Sequence, residues 1–295
     1  GGQGGVMHQY NRARRSVMLA ACALLLSSAA LASEVLTREL RSTTLGRDWK
    51  YEVYLPTGYE TSRLRYPVLY LLHGNGGSGK DWIERGKVQN VADGLIASGD
   101  MPPAVIVMPD AGVTWYVDRK EQMETAMIRD LFPEVERNLR VLKSREGRLI
   151  GGLSMGGYGS LRFVLKYPEM FAAAALLSPA IYDPLPPPNS SARKVGTFGA
   201  PGFDQQVWKR LNYPALWPGY LARNKPVPMY INSGDDDEFM IEADATKLYS
   251  LLRANRQPAE LRIVDGAHNW GVWGSTLGDA MKYIFRFSAQ PASTE

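Results

Sequence analysis

The sequence predicts an α/β fold, a mostly parallel central sheet with helices on both faces, and three observations carry that expectation. Short apolar runs recur along the chain, helix-length amphipathic segments separate them, and composition is ordinary for a globular protein, 45% hydrophobic and 22% charged. Trp49 to Leu55 (WKYEVYL) alternates like a half-buried strand, and Tyr66 to Leu72 (YPVLYLL) reads as a buried one. Ala104 to Met108, Arg148 to Leu153, Phe171 to Leu177, Pro228 to Asn232 and Glu260 to Val264 are further runs of the buried type. Between them Met123 to Leu139, Met155 to Lys166, Ile241 to Asn255 and Thr276 to Phe287 have helical spacing. In such sheets ligands bind at the carboxyl ends of the strands.

One stretch breaks the alternation. Residues 183–228 hold PLPPP, SSARK, GTFGAPGF and a Trp/Tyr/Pro-rich run. A connection that long is usually functional, and we read it as an insertion capping the site. The remainder, 33–295, reads as a single domain.

The first residues read as processing signal. Residues 1–6 (GGQGGV) precede Met7 and read as an expression remnant or upstream extension. From Met7, Arg12, Arg14 and Arg15 make a basic n-region, Val17 to Leu26 an apolar h-region, and Ala30-Leu31-Ala32 a small-residue cleavage site. The expectation is a signal peptide over 7–32, with export to the periplasm or medium and no stable membrane anchor, since the apolar run falls short of the roughly 20 residues a span needs. Cutting there removes three arginines and Cys22, the only cysteine, so that 31 basic residues face 30 acidic ones. That balance argues against nucleic acid as partner, and the loss of the thiol excludes a Cys nucleophile or Cys-bound metal.

Gly152-Leu153-Ser154-Met155-Gly156 fits G-x-S-x-G, the strand-to-helix turn that projects a nucleophilic Ser above a sheet. A strand candidate precedes it and a helix candidate follows, as the motif requires. A Ser hydroxyl needs an adjacent base. Beyond the leader only His73 and His268 remain. His73 lies upstream of Ser154 at a strand end and reads as a structural histidine; His268, in GAHNW after the last strand candidate, has the chain order of a hydrolase base. The acid that orients it should follow a strand between the two, and Asp235-Asp236-Asp237-Glu238 supplies four carboxylates after PMYIN. Spacing alone does not choose among them. A cation site on this cluster lacks the loop spacing of known calcium motifs, so no metal and no organic cofactor is expected.

Together YLLHGNGGS, GGLSMGGYGS, SGDDDEF and GAHNW resemble the putative-esterase family of α/β-hydrolases, which includes feruloyl esterases, enterochelin esterases, S-formylglutathione hydrolases and mycolyltransferases. The resemblance runs from about Glu39 to Phe287. It implies an α/β-hydrolase fold and a serine carboxylesterase acting through Ser154, His268 and an acid, with Asp237 chosen by the family pattern and Asp236 as its rival. It implies further an oxyanion hole made of the backbone N–H groups of Asn75 and Met155, and an aromatic loop near the substrate, so that Trp115 and Tyr116, with Trp270, become candidate substrate contacts. The substrate would be a small-molecule or polymer-linked ester.

Three alternatives compete. An acyltransferase would share the acyl-enzyme and differ in the acceptor. A hydrolase fold kept only for binding usually loses a triad member, and none is missing here. Gly74 to Asp81 (GNGGSGKD) is one residue from a phosphate-binding G-x-x-x-x-G-K-[ST] loop, but Asp81 would set a carboxylate beside the phosphates.

Overall fold

Side chains of the central strands alternate between two apolar layers, which explains why these strands read as unbroken hydrophobic runs. In the computed structural model, which describes residues 31–293, Val68, Tyr70 and Leu72 of one strand join the larger core cluster while Leu69 and Leu71 join the other. The 1–6 extension and nearly all of the 7–32 leader, Cys22 included, lie outside the described residues.

The strands are β1 (Glu34–Ser42), β2 (Arg47–Leu55), β3 (Val68–Leu72), β4 (Val105–Pro109), β5 (Arg148–Leu153), β6 (Ala174–Leu177), β7 (Met229–Gly234) and β8 (Ala259–Val264). They form one sheet in the order β1-β2-β4-β3-β5-β6-β7-β8. The first two pairings are antiparallel and the rest parallel. β1 was not among the expected strands: Glu34, Thr37, Arg38, Glu39 and Arg41 leave it few apolar positions, and it is held at the sheet edge by full pairing with β2.

Helices α1 (Lys80–Glu84), α2 (Val88–Ala97), α3 (Met123–Ala126), α4 (Phe132–Asn138), α5 (Met155–Lys166), α6 (Gln205–Leu211), α7 (Tyr213–Arg223), α8 (Ile241–Ala254) and α9 (Trp270–Ile284) complete the chain. A π-helical turn at Met127–Leu131 joins α3 to α4, so the expected 123–139 helix is nearly continuous. α2 and α9 cover one face through Val88, Ala92, Leu277 and Met281, and α5 and α8 pack on the other through Leu161, Val164, Leu248 and Leu252. α9 begins six residues before the expected Thr276, because Asn269 caps it by accepting from the Val272 N–H.

Residues 183–228 contain α6 and α7, which bury Trp208, Tyr213, Trp217 and Tyr220 against the domain. Trp208 stacks on Tyr158 of α5, with centroids 5.4 Å apart, and donates its indole N–H to the Tyr182 carbonyl at 2.9 Å. Only the front of this segment reaches the cleft at the carboxyl ends of the strands, through Ser190 and Ser191.

Candidate active site

Close packing at glycines sets the turn between β5 and α5. A Cβ on Gly156 would lie 2.4 Å from the Leu72 carbonyl oxygen, and one on Gly152 would lie 2.6 Å from the Gly156 backbone. The strand therefore passes directly into the helix, and Ser154 between them takes φ +51°, a conformation L-residues avoid unless the surroundings impose it. Its N–H donates to Leu177 O at 2.9 Å and its carbonyl accepts from Ala180 N at 3.1 Å, which locks the turn to the end of β6.

Beyond β7 a second turn carries the acids. Asp235 N donates to Val264 O (2.7 Å) and Asp236 N to Gly266 O (2.8 Å), so the turn is laced to the loop after β8 that carries His268. A Cβ on Gly234 would meet Gly266 O at 2.2 Å, so only glycine permits this approach. The lacing brings three side chains into line. His268 Nε2 stands 2.9 Å from Ser154 Oγ, and His268 Nδ1 stands 2.7 Å from Asp237 Oδ2. The Asp237 side chain is fully buried, and its Oδ1 accepts the Phe239 N–H at 2.9 Å.

Asp236 is placed differently. It is exposed and makes no bond to the imidazole among the described residues. Its carboxylate, with those of Asp235 and Asp265, falls in a group whose oxygens lie within 4.8 Å of one another, and repulsion from Asp235, with a smaller part from Asp265, raises its pKa.

Glu238 has a part that sequence reasoning missed. Its Oε2 accepts the His268 backbone N–H at 2.9 Å, so successive residues hold the ring and the main chain of one histidine. Phe239 was not singled out either, and Trp273 was read only as aromatic wall near the substrate. Both meet the imidazole edge to face, each with centroids 4.9 Å away, and confine it to one plane. No pattern in the sequence marks Glu238; the aromatics carried only the general signal of flanking a loop.

The loop after β3 supplies the other wall. His73 is fully buried: Nε2 accepts the Ala111 N–H at 2.8 Å, so Nδ1 carries the proton and donates to Gly74 O at 2.6 Å. Burial lowers its pKa, and it stays neutral. Asn75 is pinned through its side chain, which accepts the Trp115 indole N–H at 3.1 Å. The backbone N–H groups of Asn75 and Met155 have no hydrogen-bond partner among the described residues, and both residue 75 and Ser154 line the same cleft.

The phosphate-loop alternative fails on this geometry. Gly79 N donates to Asp110 Oδ1 (2.8 Å) and Ser78 N to Asp81 Oδ2 (3.2 Å), so carboxylates of the protein occupy donors that a phosphate would need.

The cleft measures about 420 Å³, and its mixed polar and apolar lining includes the aromatic side chains of Trp115, Tyr182, Phe239, Trp270 and Trp273. Of the three aromatics expected to touch substrate, Trp270 lines the cleft half-buried, and Trp115 lines it with nearly all its surface packed on Tyr158 and Phe198. Tyr116 does not reach it. Its ring is buried behind the loop and its hydroxyl donates to His73 O at 2.9 Å, so its place is in the packing beneath His73. No helix among the described residues is long and apolar enough to cross a membrane.

A family model described as Putative esterase matches residues 42–284. Among curated proteins, an endo-1,4-beta-xylanase/feruloyl esterase of Xylanibacter ruminicola is 36% identical over 156 residues, 48% of this chain and 21% of that protein. An esterase of Mycobacterium tuberculosis is 35% identical over 144 residues, 46% of this chain and 30% of that protein. The chain thus matches less than a third of the length of either. An acetyl esterase of Caldicellulosiruptor saccharolyticus is 24% identical over 242 residues, covering 75% of this chain and 84% of that protein. Among solved structures, a ferulic acid esterase superposes with a TM-score of 0.75 at 29% identity, over 87% of this chain and 98% of that one. An S-formylglutathione hydrolase from Agrobacterium tumefaciens shares the fold, with a TM-score of 0.70 at 20% identity, over 88% of this chain and 97% of that one.

Proposed function

The chain belongs to the putative-esterase family, and from that premise we propose that it is a serine carboxylic-ester hydrolase working through an acyl-enzyme. The observation that carries the reading is the unbroken line from Ser154 Oγ through His268 to the buried Asp237 carboxylate, with spacings of 2.9 and 2.7 Å.

Ser154 Oγ attacks the ester carbonyl while His268 Nε2 takes its proton. Asp237 keeps the proton of the ring on Nδ1, so that Nε2 has a free lone pair, and stabilises the imidazolium that forms. The N–H groups of Asn75 and Met155 receive the oxyanion; such donors face charge that exists only in the tetrahedral intermediate, and each is worth about 10²–10³ in turnover. Return of the proton from Nε2 expels the alcohol. Water, activated by the same nitrogen, then attacks the acyl-enzyme and releases the acid. The chemistry calls for no metal or organic cofactor.

The aromatic walls of the cleft, and relatives named feruloyl esterase and acetyl esterase, support esters of short or aromatic acyl groups, free or linked to a polymer. The front of the 183–228 segment caps the cleft through Ser190 and Ser191, while α6 and α7 anchor it. The 7–32 leader directs export. Ser154→Ala should abolish hydrolysis of p-nitrophenyl acetate by the purified protein, and undiminished activity would contradict the reading. Rates on a series from acetyl to octanoyl esters and on methyl ferulate rank the acyl groups.

A further inference from the structure

Among the described residues Arg85 is the one Lys or Arg that lines the catalytic cleft, and no carboxylate there pairs with it. It caps the C-terminus of the short helix α1, with its N–H bonded to Asp81 O at 2.9 Å. The backbone there is rigidly seated: a Cβ on the next residue, Gly86, would lie 2.7 Å from the Trp82 ring and 3.1 Å from Trp270. Trp82 in turn donates its indole N–H to Leu72 O at 3.0 Å, which ties this corner to β3. The guanidinium is exposed and makes no hydrogen bond or ion pair among the described residues. Asp81 also lines the cleft, but its Oδ2 accepts the Ser78 N–H at 3.2 Å and faces back into the loop. Arg47, Arg148 and Arg162 each hold a carboxylate within 2.8 Å; the exposed Arg63, Arg129, Arg210 and Arg256 hold none either, and what sets Arg85 apart from them is its place in the wall of the cleft that holds Ser154 and His268.

A planar, permanently charged fork suits a carboxylate better than a neutral hydroxyl, because it can donate two parallel hydrogen bonds, and Arg85 shares the cleft lining with Trp270 and Trp273. We propose that Arg85 is a specificity-determining residue that selects esters carrying a carboxylate remote from the scissile bond. This rests on the hydrolase reading above and adds the charge of the substrate to it. The shared chemistry is an anionic ester, and the carboxylate can sit on the leaving alcohol or on the acyl chain.

Two ester pairs distinguish these sources. 4-Acetoxybenzoate and its methyl ester place or mask a charge on the leaving phenol; mono-4-nitrophenyl adipate and its methyl ester do so on the acyl chain. Kinetics of the wild type, Arg85→Gln and Arg85→Lys are compared at low and high salt. In one pair at least, Arg85→Gln should raise KM for the anionic member about tenfold, the lower end of what a hydrogen bond to a charged group contributes. KM for the neutral member should stay within twofold, kcat should hold, Arg85→Lys should recover part of the loss, and salt should weaken the wild-type preference. Arg85→Gln leaving both pairs unchanged, or shifting both members of each pair equally, would overturn the proposal while leaving the hydrolase reading intact. Wild-type protein that hydrolyses p-nitrophenyl acetate but none of the four esters would overturn the proposal alone, and protein that hydrolyses neither would overturn both.

Discussion

Replacing Asp237 by Asn removes one charge and almost no volume, so its effect isolates the role of the buried carboxylate. The outcome follows from the second bond this side chain makes. Phe239 N–H donates to Oδ1 at 2.9 Å, and in the variant it selects the amide oxygen for that position. The amide NH₂ then occupies the place of Oδ2, 2.7 Å from His268 Nδ1, where it can only donate. The ring must accept at Nδ1 and carry its proton on Nε2, the atom that stands 2.9 Å from Ser154 Oγ. It can no longer take the serine proton. The wrong tautomer and the lost stabilisation of the imidazolium together cost roughly 10⁴ in kcat in a Ser-His-Asp triad, about 5.5 kcal/mol of barrier. Steady-state hydrolysis of p-nitrophenyl acetate, with circular dichroism to establish folding, measures it. Asp236→Asn serves as the paired control: its carboxylate is exposed and repelled by Asp235, so kcat should stay within about twofold and thermal stability should hold or rise slightly. A folded Asp237→Asn protein that keeps more than a tenth of its activity, with Asp236→Asn the inactive one, would refute the assignment.

Other perturbations test the scaffold. Glu238→Ala frees the His268 main chain, and kcat should fall about tenfold with KM little changed; Glu238→Gln, which can still accept the N–H, should recover most of it. Gly156→Ala forces a Cβ to within 2.4 Å of a backbone oxygen; overpacking of this kind costs about 1–3 kcal/mol, a Tm loss of roughly 3–10 °C by differential scanning calorimetry. His73 is neutral when folded and its pKa is lowered by burial, so the unfolded chain binds a proton that the folded chain refuses. Its contribution to stability is therefore complete above the unfolded value of about 6.5 and declines as pH falls through it. Tm should drop between pH 7.5 and 5.5 more steeply in the wild type than in His73→Gln, and equal slopes would contradict that reading.

Much of this was legible from pattern because the central strands are buried on both faces. β3 and β6 carry apolar or aromatic residues at every position and β5 does so after Arg148, so no polar alternation obscures them. Edge elements were harder: β1 is specified by its pairing with β2 more than by its own residues. α2 was recoverable, since Val88, Val91, Ala92, Leu95 and Ile96 have helical spacing, whereas the glycines at 271, 274 and 278 disguised the start of α9. Ser154 and His268 were legible because a strained turn demands small neighbours and because so few histidines compete. From spacing alone the acid was not, and only the family resemblance chose Asp237, since four adjacent carboxylates look alike until one knows that the turn is laced to Val264 and Gly266, which carries position 237 under the imidazole and leaves 236 in solvent. Tyr116 misled for a related reason, for an aromatic in a cleft-side loop can point inward as readily as outward.

Covalent capture of the nucleophile tests the central claim most directly. The purified protein is treated with a fluorophosphonate, which phosphonylates an activated serine, and the modified peptide is identified by mass spectrometry. The account predicts one adduct per chain, on Ser154, formed in parallel with loss of esterase activity and absent when Asp237 is replaced by Asn and assayed over the same time. Full inactivation with the adduct on another residue, or an unlabelled Ser154 in a protein that still turns over esters, would contradict it.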